Sequence, residues 1–326
     1  MRVFVTGASG RLGRALIQDL VATGHEVVGL VSDADKGRAV EALGATTLVG
    51  RLHDEAVLTE GVRGSAVIYH LAGGVRGAGA ETAEVINHVG TRHLRAAIQA
   101  STFWKKELKA LVYSSSVAIY GDRAGLWVDE DMAPYPQTEY AKSKVAAEAL
   151  LIRAAREEGI PARIGRVAAV YGPGFPFMMV DRMKAGRCWL PGEGRNYVHT
   201  IHIDDAVAAL RRIADQGMNG NVYNVGDPNP VSLKDFYAEV HRLVGGSPAR
   251  FWSTWIPSYV QRWIAGEAET LQARLGRRPR VTPDTLRLFT ASTRMKVTRL
   301  DKELGFTWRY PTHTAGLAAT LAGQGA

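Results

Sequence analysis

Apolar and polar residues change rhythm at regular intervals along the first half of this chain. Residues 2–6 (Arg-Val-Phe-Val-Thr) form a short apolar, β-branched run, as a strand covered on both faces requires. Similar runs predict strands near 26–31, 46–49, 66–72, 109–115 and 162–168. Between them, 11–23, 36–43, 81–100 and 138–158 carry helix-like patterns, with Ala15, Leu16 and Leu20 sharing a stripe in the first. The last is rich in Ala and Leu and is ended by Gly159 before Pro161. This alternation predicts an α/β fold, a doubly wound parallel sheet with helices on both faces and ligands beyond the carboxyl ends of its strands. From about residue 170 the rhythm breaks up, with Pro173, Pro176, Pro191 and many glycines.

Two short stretches carry chemistry. Gly7, Gly10 and Gly13 follow the first strand within Thr6-Gly7-Ala8-Ser9-Gly10-Arg11-Leu12-Gly13 and lead into the first helix. Strand, glycine turn and helix form the setting of a dinucleotide site: the glycines allow a tight turn and close backbone approach, and a pyrophosphate sits on the helix N-terminus. Further on, Tyr140 and Lys144 stand four residues apart, on one face of a helix. A phenol with a pKa of about 10 donates poorly at neutral pH; lowering it by about three units takes roughly 4 kcal/mol, which adjacent positive charge supplies. A tyrosine so tuned exchanges a proton with an oxygen whose carbon exchanges a hydride.

Further segments fall in a recognisable order. They are Ile68-Tyr69-His70-Leu71-Ala72-Gly73, then Asn87 with Gly90 and Thr91, then Tyr113-Ser114-Ser115-Ser116 running into Ile119-Tyr120-Gly121. Arg166 with Val170-Tyr171-Gly172-Pro173-Gly174, and Ile201-His202-Ile203-Asp204-Asp205, complete the series. With the glycine turn and the Tyr140–Lys144 pair, the chain resembles the extended short-chain dehydrogenase/reductases, which include the NAD-dependent epimerase/dehydratase family. Its pattern is nearest the hydroxysteroid dehydrogenases and dihydroflavonol-type reductases. The match runs from residue 1 to about 230. It implies a Rossmann-type NAD(P)-binding domain over 1–170, rejoined by residues around 195–225, with 171–326 mainly a substrate-binding lobe.

The resemblance also implies roles. Tyr140 is the general acid or base, Lys144 lowers its pKa and holds the nicotinamide ribose, Ser116 hydrogen-bonds the substrate oxygen, and Asn87 joins the catalytic set. Cofactor contacts are expected from Thr6, Gly7, Ser9, Gly10, Arg11, Leu12 and Gly13, and from Ser32 and Leu52. Leu71, Ala72 and Gly73, Ser114 and Ser115, Val167, and Tyr140 with Lys144 extend that set. Substrate contacts are expected at Ser116, Tyr171 and Arg195. Members commonly form homodimers through the helices around 81–100 and 138–158.

Departures from the family pattern narrow the reaction. The Asp that selects NAD would fall at Val31 and the Arg that selects NADP at Ser32, and this chain has neither. Arg11, Lys36 and Arg38 can supply charge to a 2′-phosphate, while Asp33 could reach back to the ribose; the balance leans to NADP over NAD. Arg51 stands where an adenine-contacting Asp is common. Val117 and Ala118 occupy the positions of the acidic pair in nucleotide-sugar dehydratases, and neither moves a proton. Ala169 and Val167 replace the Asn and Pro usual in nucleotide-sugar epimerases, although Arg195 could still meet a pyrophosphate. Aromatic pairs from Phe251-Trp252 to Trp263-Ile264 recur at helical spacing, as a core helix, a lid over an apolar carbonyl substrate, or a membrane-resting face. The expected activity is reversible alcohol–carbonyl interconversion on a small apolar molecule. Nucleotide-sugar epimerisation is the alternative, and a non-catalytic cofactor-binding regulator is a third reading that intact Ser116, Tyr140 and Lys144 oppose.

Composition sets limits. The chain has 326 residues, 46% hydrophobic and 22% charged, with a net charge of +8 and one cysteine, Cys188. The basic residues are dispersed without a nucleic-acid motif, so an anionic dinucleotide explains the excess and nucleic acid is not an expected partner. The nine histidines lack metal-ligand spacing, no apolar run approaches membrane length, and a strand starts at residue 2. A metal-free cytoplasmic enzyme acting on a small molecule, with no integral membrane segment, is expected.

Overall fold

Seven parallel strands form the centre of the computed structural model, which describes residues 1–74, 82–102, 104–124, 126–173, 177–252 and 282–322. They are β1 (Arg2–Thr6), β2 (Glu26–Val31), β3 (Thr46–Val49), β4 (Val67–His70), β5 (Ala110–Ser116), β6 (Ala162–Val167) and β7 (Val222–Val225). Their order is β7-β6-β5-β4-β1-β2-β3, with the direction of winding reversing between β1 and β4. That is the doubly wound Rossmann-type sheet expected from the alternation, and ligands bind at such a reversal. Alternate residues feed two cores. Val3, Val5 and Val112 pack with Leu16, Ile17 and Leu20 of α1 (Arg11–Ala22) and Leu210 and Ile213 of α6 (Ile203–Gln216). Phe4, Ile68 and Leu111 face the other way, against α3 (Glu55–Val62), α4 (Gly90–Ala100) and α5 (Glu139–Arg153).

Several boundaries differ from the sequence reading, each for a local reason. Helix α2 spans Ala34–Glu41, earlier than 36–43, because the Asp33 carboxylate caps it by accepting the Lys36 amide at 2.9 Å. Before α4 the chain winds as a single π turn over Val85–Val89, which buries Asn87. Thr138 caps α5, its hydroxyl accepting the Ala141 amide at 3.1 Å. A left-handed Gly159 (φ 78°) ends the run after a second π turn at Ala154–Glu158. The aromatic segment around Trp255, Tyr259 and Trp263 lies outside the described residues.

Beyond β6 the chain builds a smaller lobe. Ala169–Tyr171 pairs in parallel with Thr200–His202, and Tyr171 packs with Val231, Phe236 and Leu317 in a third apolar cluster. Helices α7 (Leu233–Val244), α8 (Pro283–Thr290) and α9 (His313–Ala322) belong to this part. A buried ion pair fastens α5 to the sheet, and a buried carboxyl fastens the lobe to it. Arg166 on β6 pairs with Glu148 on α5 at 2.9 Å, both almost wholly buried. Asp227, just past β7, is 1% exposed and accepts the Thr200 hydroxyl at 2.9 Å.

Burial pushes the Asp227 carboxyl up to about 8, with the charge of Asp205 adding to the shift and the Thr200 hydroxyl opposing it. An unfolded chain ionises the same group near about 4. Between about 4 and 8 the folded protein therefore keeps a proton that the unfolded chain releases, and stability falls as pH rises through that window. Asp227→Asn should then stabilise the protein by a few kcal/mol (roughly) at pH 8 and by little at pH 4. Urea unfolding at the two pH values checks this; equal effects at both would mean the carboxyl ionises normally.

Candidate active site

The glycine turn is built for close approach of a phosphate. Gly7 adopts φ 72°, and a Cβ there would stand 2.6 Å from the Ala72 amide nitrogen, so no side chain is accommodated. A Cβ on Gly13 would stand 2.2 Å from the Gly7 carbonyl, which presses α1 onto the turn. Helix α1 starts at Gly10 without a side-chain cap, leaving its first amides to an anion. Thr6 anchors the turn from below: its hydroxyl lies 2.6 Å from His70 Nδ1 and accepts the Ala72 amide at 3.3 Å. His70 Nε2 meets the Thr91 hydroxyl at 2.9 Å, and burial, then the Lys144 charge, lowers its pKa to about 3, so the imidazole is neutral.

Beside the turn lies a cavity of about 300 Å³. Gly7, Ser9 and Gly10 form one side, Leu71, Ala72 and Gly73 another, and Ser32 with Leu52 the far end. Arg51, His53 and His93 also line it, and among the described lining residues none is acidic. Asp33 is not among them. Its carboxylate accepts the Lys36 amide and the Lys36 ammonium at 2.7 Å, which holds its pKa down at about 2. Lys36 also donates to the Ser32 hydroxyl at 2.8 Å. The uncapped helix, the cradle that a Cβ would fill and this cavity fit a dinucleotide.

A second cavity, of about 400 Å³, opens at the carboxyl ends of β5 and β6. Ser114, Ser115, Ser116, Tyr140, Val167 and Leu12 line it. Ser116 ends β5 and caps the following turn, its Oγ accepting the Ala118 amide at 3.2 Å, which leaves its own hydrogen to donate. Burial raises the Tyr140 phenol, and hydrogen bonding to Ser116 opposes that rise. The Lys144 ammonium hydrogen-bonds the end of β5 rather than the phenol. It donates to the Ser114 carbonyl at 2.8 Å and sits 4.8 Å from the Tyr113 ring centre, against 6.0 Å for the Tyr140 ring. Burial lowers the Lys144 pKa to about 8, with Glu148 one turn along opposing it.

Asn87 is fully buried and belongs to the frame. Its amide donates to Ser143 at 2.9 Å and exchanges hydrogen bonds with Gly74, while Ser143 donates to the Tyr140 carbonyl at 2.8 Å. The π turn is thereby stitched to the helix that carries Tyr140 and Lys144. A Cβ on Gly73 would lie 2.9 Å from both Asn87 Oδ1 and Lys144 Nζ, so the cofactor-facing loop sits directly over these groups. Half-buried Arg11 points at the Val170 carbonyl, 3.5 Å away.

Two sequence expectations are not met at this cleft. Tyr171 is fully buried and turned into the smaller lobe, its hydroxyl packed against Gly316. Arg195 is 86% exposed beside Glu193, away from the lining. Residues that the sequence did not single out do reach the cleft: Gln137, Thr138, His199 and Arg287. Arg287 is the one charged side chain among the described lining residues, and it donates to the Gln137 carbonyl at 2.8 Å. His199 Nε2 accepts the Met295 amide at 2.6 Å, and burial lowers its pKa to about 4. Nothing in the local pattern around either residue announces a site.

A glycine-turn dinucleotide site opening onto Ser116, Tyr140 and Lys144 defines a Rossmann-type oxidoreductase. The family model for the NAD dependent epimerase/dehydratase family matches residues 3–226, and the chain belongs to that family of extended short-chain dehydrogenase/reductases. A 4-hydroxy-2-methyl-3-oxo-4-farnesyl-3,4-dihydroquinoline-1-oxide ketoreductase from Stigmatella aurantiaca is 31% identical, over 100% of this chain and 98% of its own. A decarboxylating sterol-4-alpha-carboxylate 3-dehydrogenase from Dictyostelium discoideum is 25% identical over 75% of this chain and 77% of its own. The crystal structure of UDP-glucuronic acid 4-epimerase from Bacillus cereus with UDP-glucuronic acid and NAD covers 99% of this chain and 98% of that one, with a TM-score of 0.76 at 21% identity. That last likeness speaks for the fold. No helix of the described residues is long and apolar enough to cross a membrane.

Proposed function

We propose that this enzyme reduces a ketone on a largely apolar small molecule, with NADPH as the preferred hydride donor. The observation that carries this reading is the lining of the catalytic cleft. Around Ser116 and Tyr140 it presents Leu12, Val117, Ala168, Ala169, Val198 and Leu288, with Arg287 as the one charged group described. A nucleotide sugar carries two phosphates that need several donors, and Arg195 lies outside this cleft. The likeness along the whole chain to a ketoreductase supports the same reading.

When bound, the cofactor supplies the hydride. The chain's own residues do the rest. Ser116 donates to the substrate oxygen and fixes it beside the Tyr140 hydroxyl, which delivers the proton. Lys144, held under the Gly73 loop, is placed to hold the nicotinamide ribose and to bring positive charge nearer the phenol. Asn87 acts as a positioning residue, keeping the helix of Tyr140 in register with that loop. The apolar walls exclude water from the reacting carbon. A panel of ketones and UDP-sugars checks the reading: NADPH oxidation by apolar ketones is expected, and epimerisation of a UDP-sugar without ketone reduction would overturn it.

The NADP preference rests on Ser32 and Arg51, which line the dinucleotide cavity, and on Lys36, which donates to Ser32 and holds Asp33. NADPH should bind at least about tenfold more tightly than NADH, a difference of roughly 1.4 kcal/mol. Ser32→Asp should reverse the order, because a carboxylate accepts from the ribose hydroxyls and repels a 2′-phosphate. Fluorescence titration with both cofactors measures this, and equal affinities in the parent would remove the preference. The homodimer expected from the resemblance remains part of this proposal, and light scattering of the purified protein decides it.

A further inference from the structure

The catalytic cleft has a neighbour. A chamber of about 240 Å³ lies in the smaller lobe, walled by Leu233, Phe236 and Tyr237 of α7, by Leu288 and Phe289 of α8, and by Tyr171. Ala169, Val198 and Leu288 line both this chamber and the cleft, so the two spaces are separated by shared side chains rather than by a layer of structure. Ala169, one of the three shared residues, carries the smallest apolar side chain, so little bulk separates the two spaces there. No charged residue is among the described lining of the chamber. Its Thr200 hydroxyl is already given to Asp227.

We propose that this chamber is a tail subsite: it seats an aliphatic or isoprenoid chain of the substrate whose carbonyl stands at Ser116 and Tyr140. The assignment rests on the ketoreductase reading above and names the class of ketone it takes. The pocket opens to solvent on one side, where Phe289 is 40% exposed, so a hydrocarbon chain entering it removes both its own surface and these apolar walls from water. A polar head or a nucleotide would leave its hydrogen-bonding groups unpaired against Phe236, Leu233 and Phe289. The join at Ala169 fixes the geometry: the carbonyl faces the nicotinamide side while the chain turns away beneath α7.

The experiment is a series of methyl 3-oxoalkanoates of increasing chain length, assayed with NADPH. Specificity, kcat/KM, should climb about fourfold for each added methylene until the chamber is filled, then level off. Leu233→Trp fills the chamber and Phe289→Glu places a charge at its edge. Both should abolish the climb and leave the shortest substrate unchanged, with Tm measured to show that each variant folds. A parallel calorimetric titration with straight-chain alkanols reads binding without turnover: affinity should rise with length in the parent and stay flat in Leu233→Trp. If ketones are reduced but neither rates nor affinities depend on chain length, the tail subsite is wrong and the ketoreductase reading stands. If no ketone is reduced while alkanol affinity still rises with length and is lost in Leu233→Trp, the subsite stands and the reaction assignment falls. A length dependence that survives in both variants overturns the placement in this chamber.

Discussion

Replacing Tyr140 by Phe is expected to lower kcat by about 10²–10⁴-fold, the usual contribution of a positioned general acid. The substitution removes one hydroxyl and keeps the ring, so packing against the cleft wall and the Thr138 cap persist. Cofactor affinity and Tm should therefore be unchanged, and the whole loss should fall on the chemical step. The structure adds a second expectation. Burial raises the phenol, and Lys144 spends its hydrogen bond on the Ser114 carbonyl. Protein groups alone thus leave Tyr140 protonated, which suits reduction, where it must give a proton, better than alcohol oxidation, where it must take one. The oxidative direction should accordingly need higher pH. Steady-state kinetics in both directions across pH test the pair of claims. Full turnover by the Phe variant would remove Tyr140 from the mechanism, and matching pH profiles in the two directions would remove the directional argument.

The second large effect concerns stability. Arg166→Met should destabilise the fold by about 3–5 kcal/mol, because it strands the Glu148 carboxylate in the interior. The Arg166 guanidinium donates to Glu148, to the Tyr120 hydroxyl at 2.7 Å and to the Glu130 carbonyl at 3.3 Å. Tyr120 in turn donates to Asn224 Oδ1 at 2.8 Å, so the network joins α5, β6 and β7. Glu148 lies one helical turn beyond Lys144, and loss of the pair should loosen the helix that carries Tyr140 and Lys144. The combined change Arg166→Met with Glu148→Leu should recover most of the stability, since a matched apolar pair leaves no buried charge. Chemical denaturation of the single and double variants measures this. A single variant as stable as the parent would show that the pair contributes nothing net.

The series of motifs made much of this protein legible before its coordinates. Gly7, Gly10 and Gly13 specify a turn that hardly any other residues can form, and the strand and helix around them are set by neighbours in sequence. The same holds for Ser116 at the end of a buried strand and for Tyr140 and Lys144 on one helical turn. Arg166 was visible as a motif member, but its burial against Glu148 was not, because the partner comes from another element. The direction of Tyr171 was hidden for a related reason. Its place at a strand end put it beside the reacting groups, and the short pairing with Thr200–His202 turns it away from the cleft and into the lobe's apolar pocket.

The sequence alone determined the fold class, the glycine turn and the placing of Ser116 at a strand end and of Tyr140 and Lys144 on one helical turn, since each rests on backbone conformation and helical or strand periodicity among near neighbours. Tertiary structure decided where the Lys144 ammonium donates, which way Tyr171 faces, and how Ala169, Val198, Leu233 and Leu288 come together to line an apolar pocket beside the cleft. Those outcomes depend on desolvation and on contacts between residues far apart in the chain, and neither quantity is written in any local pattern.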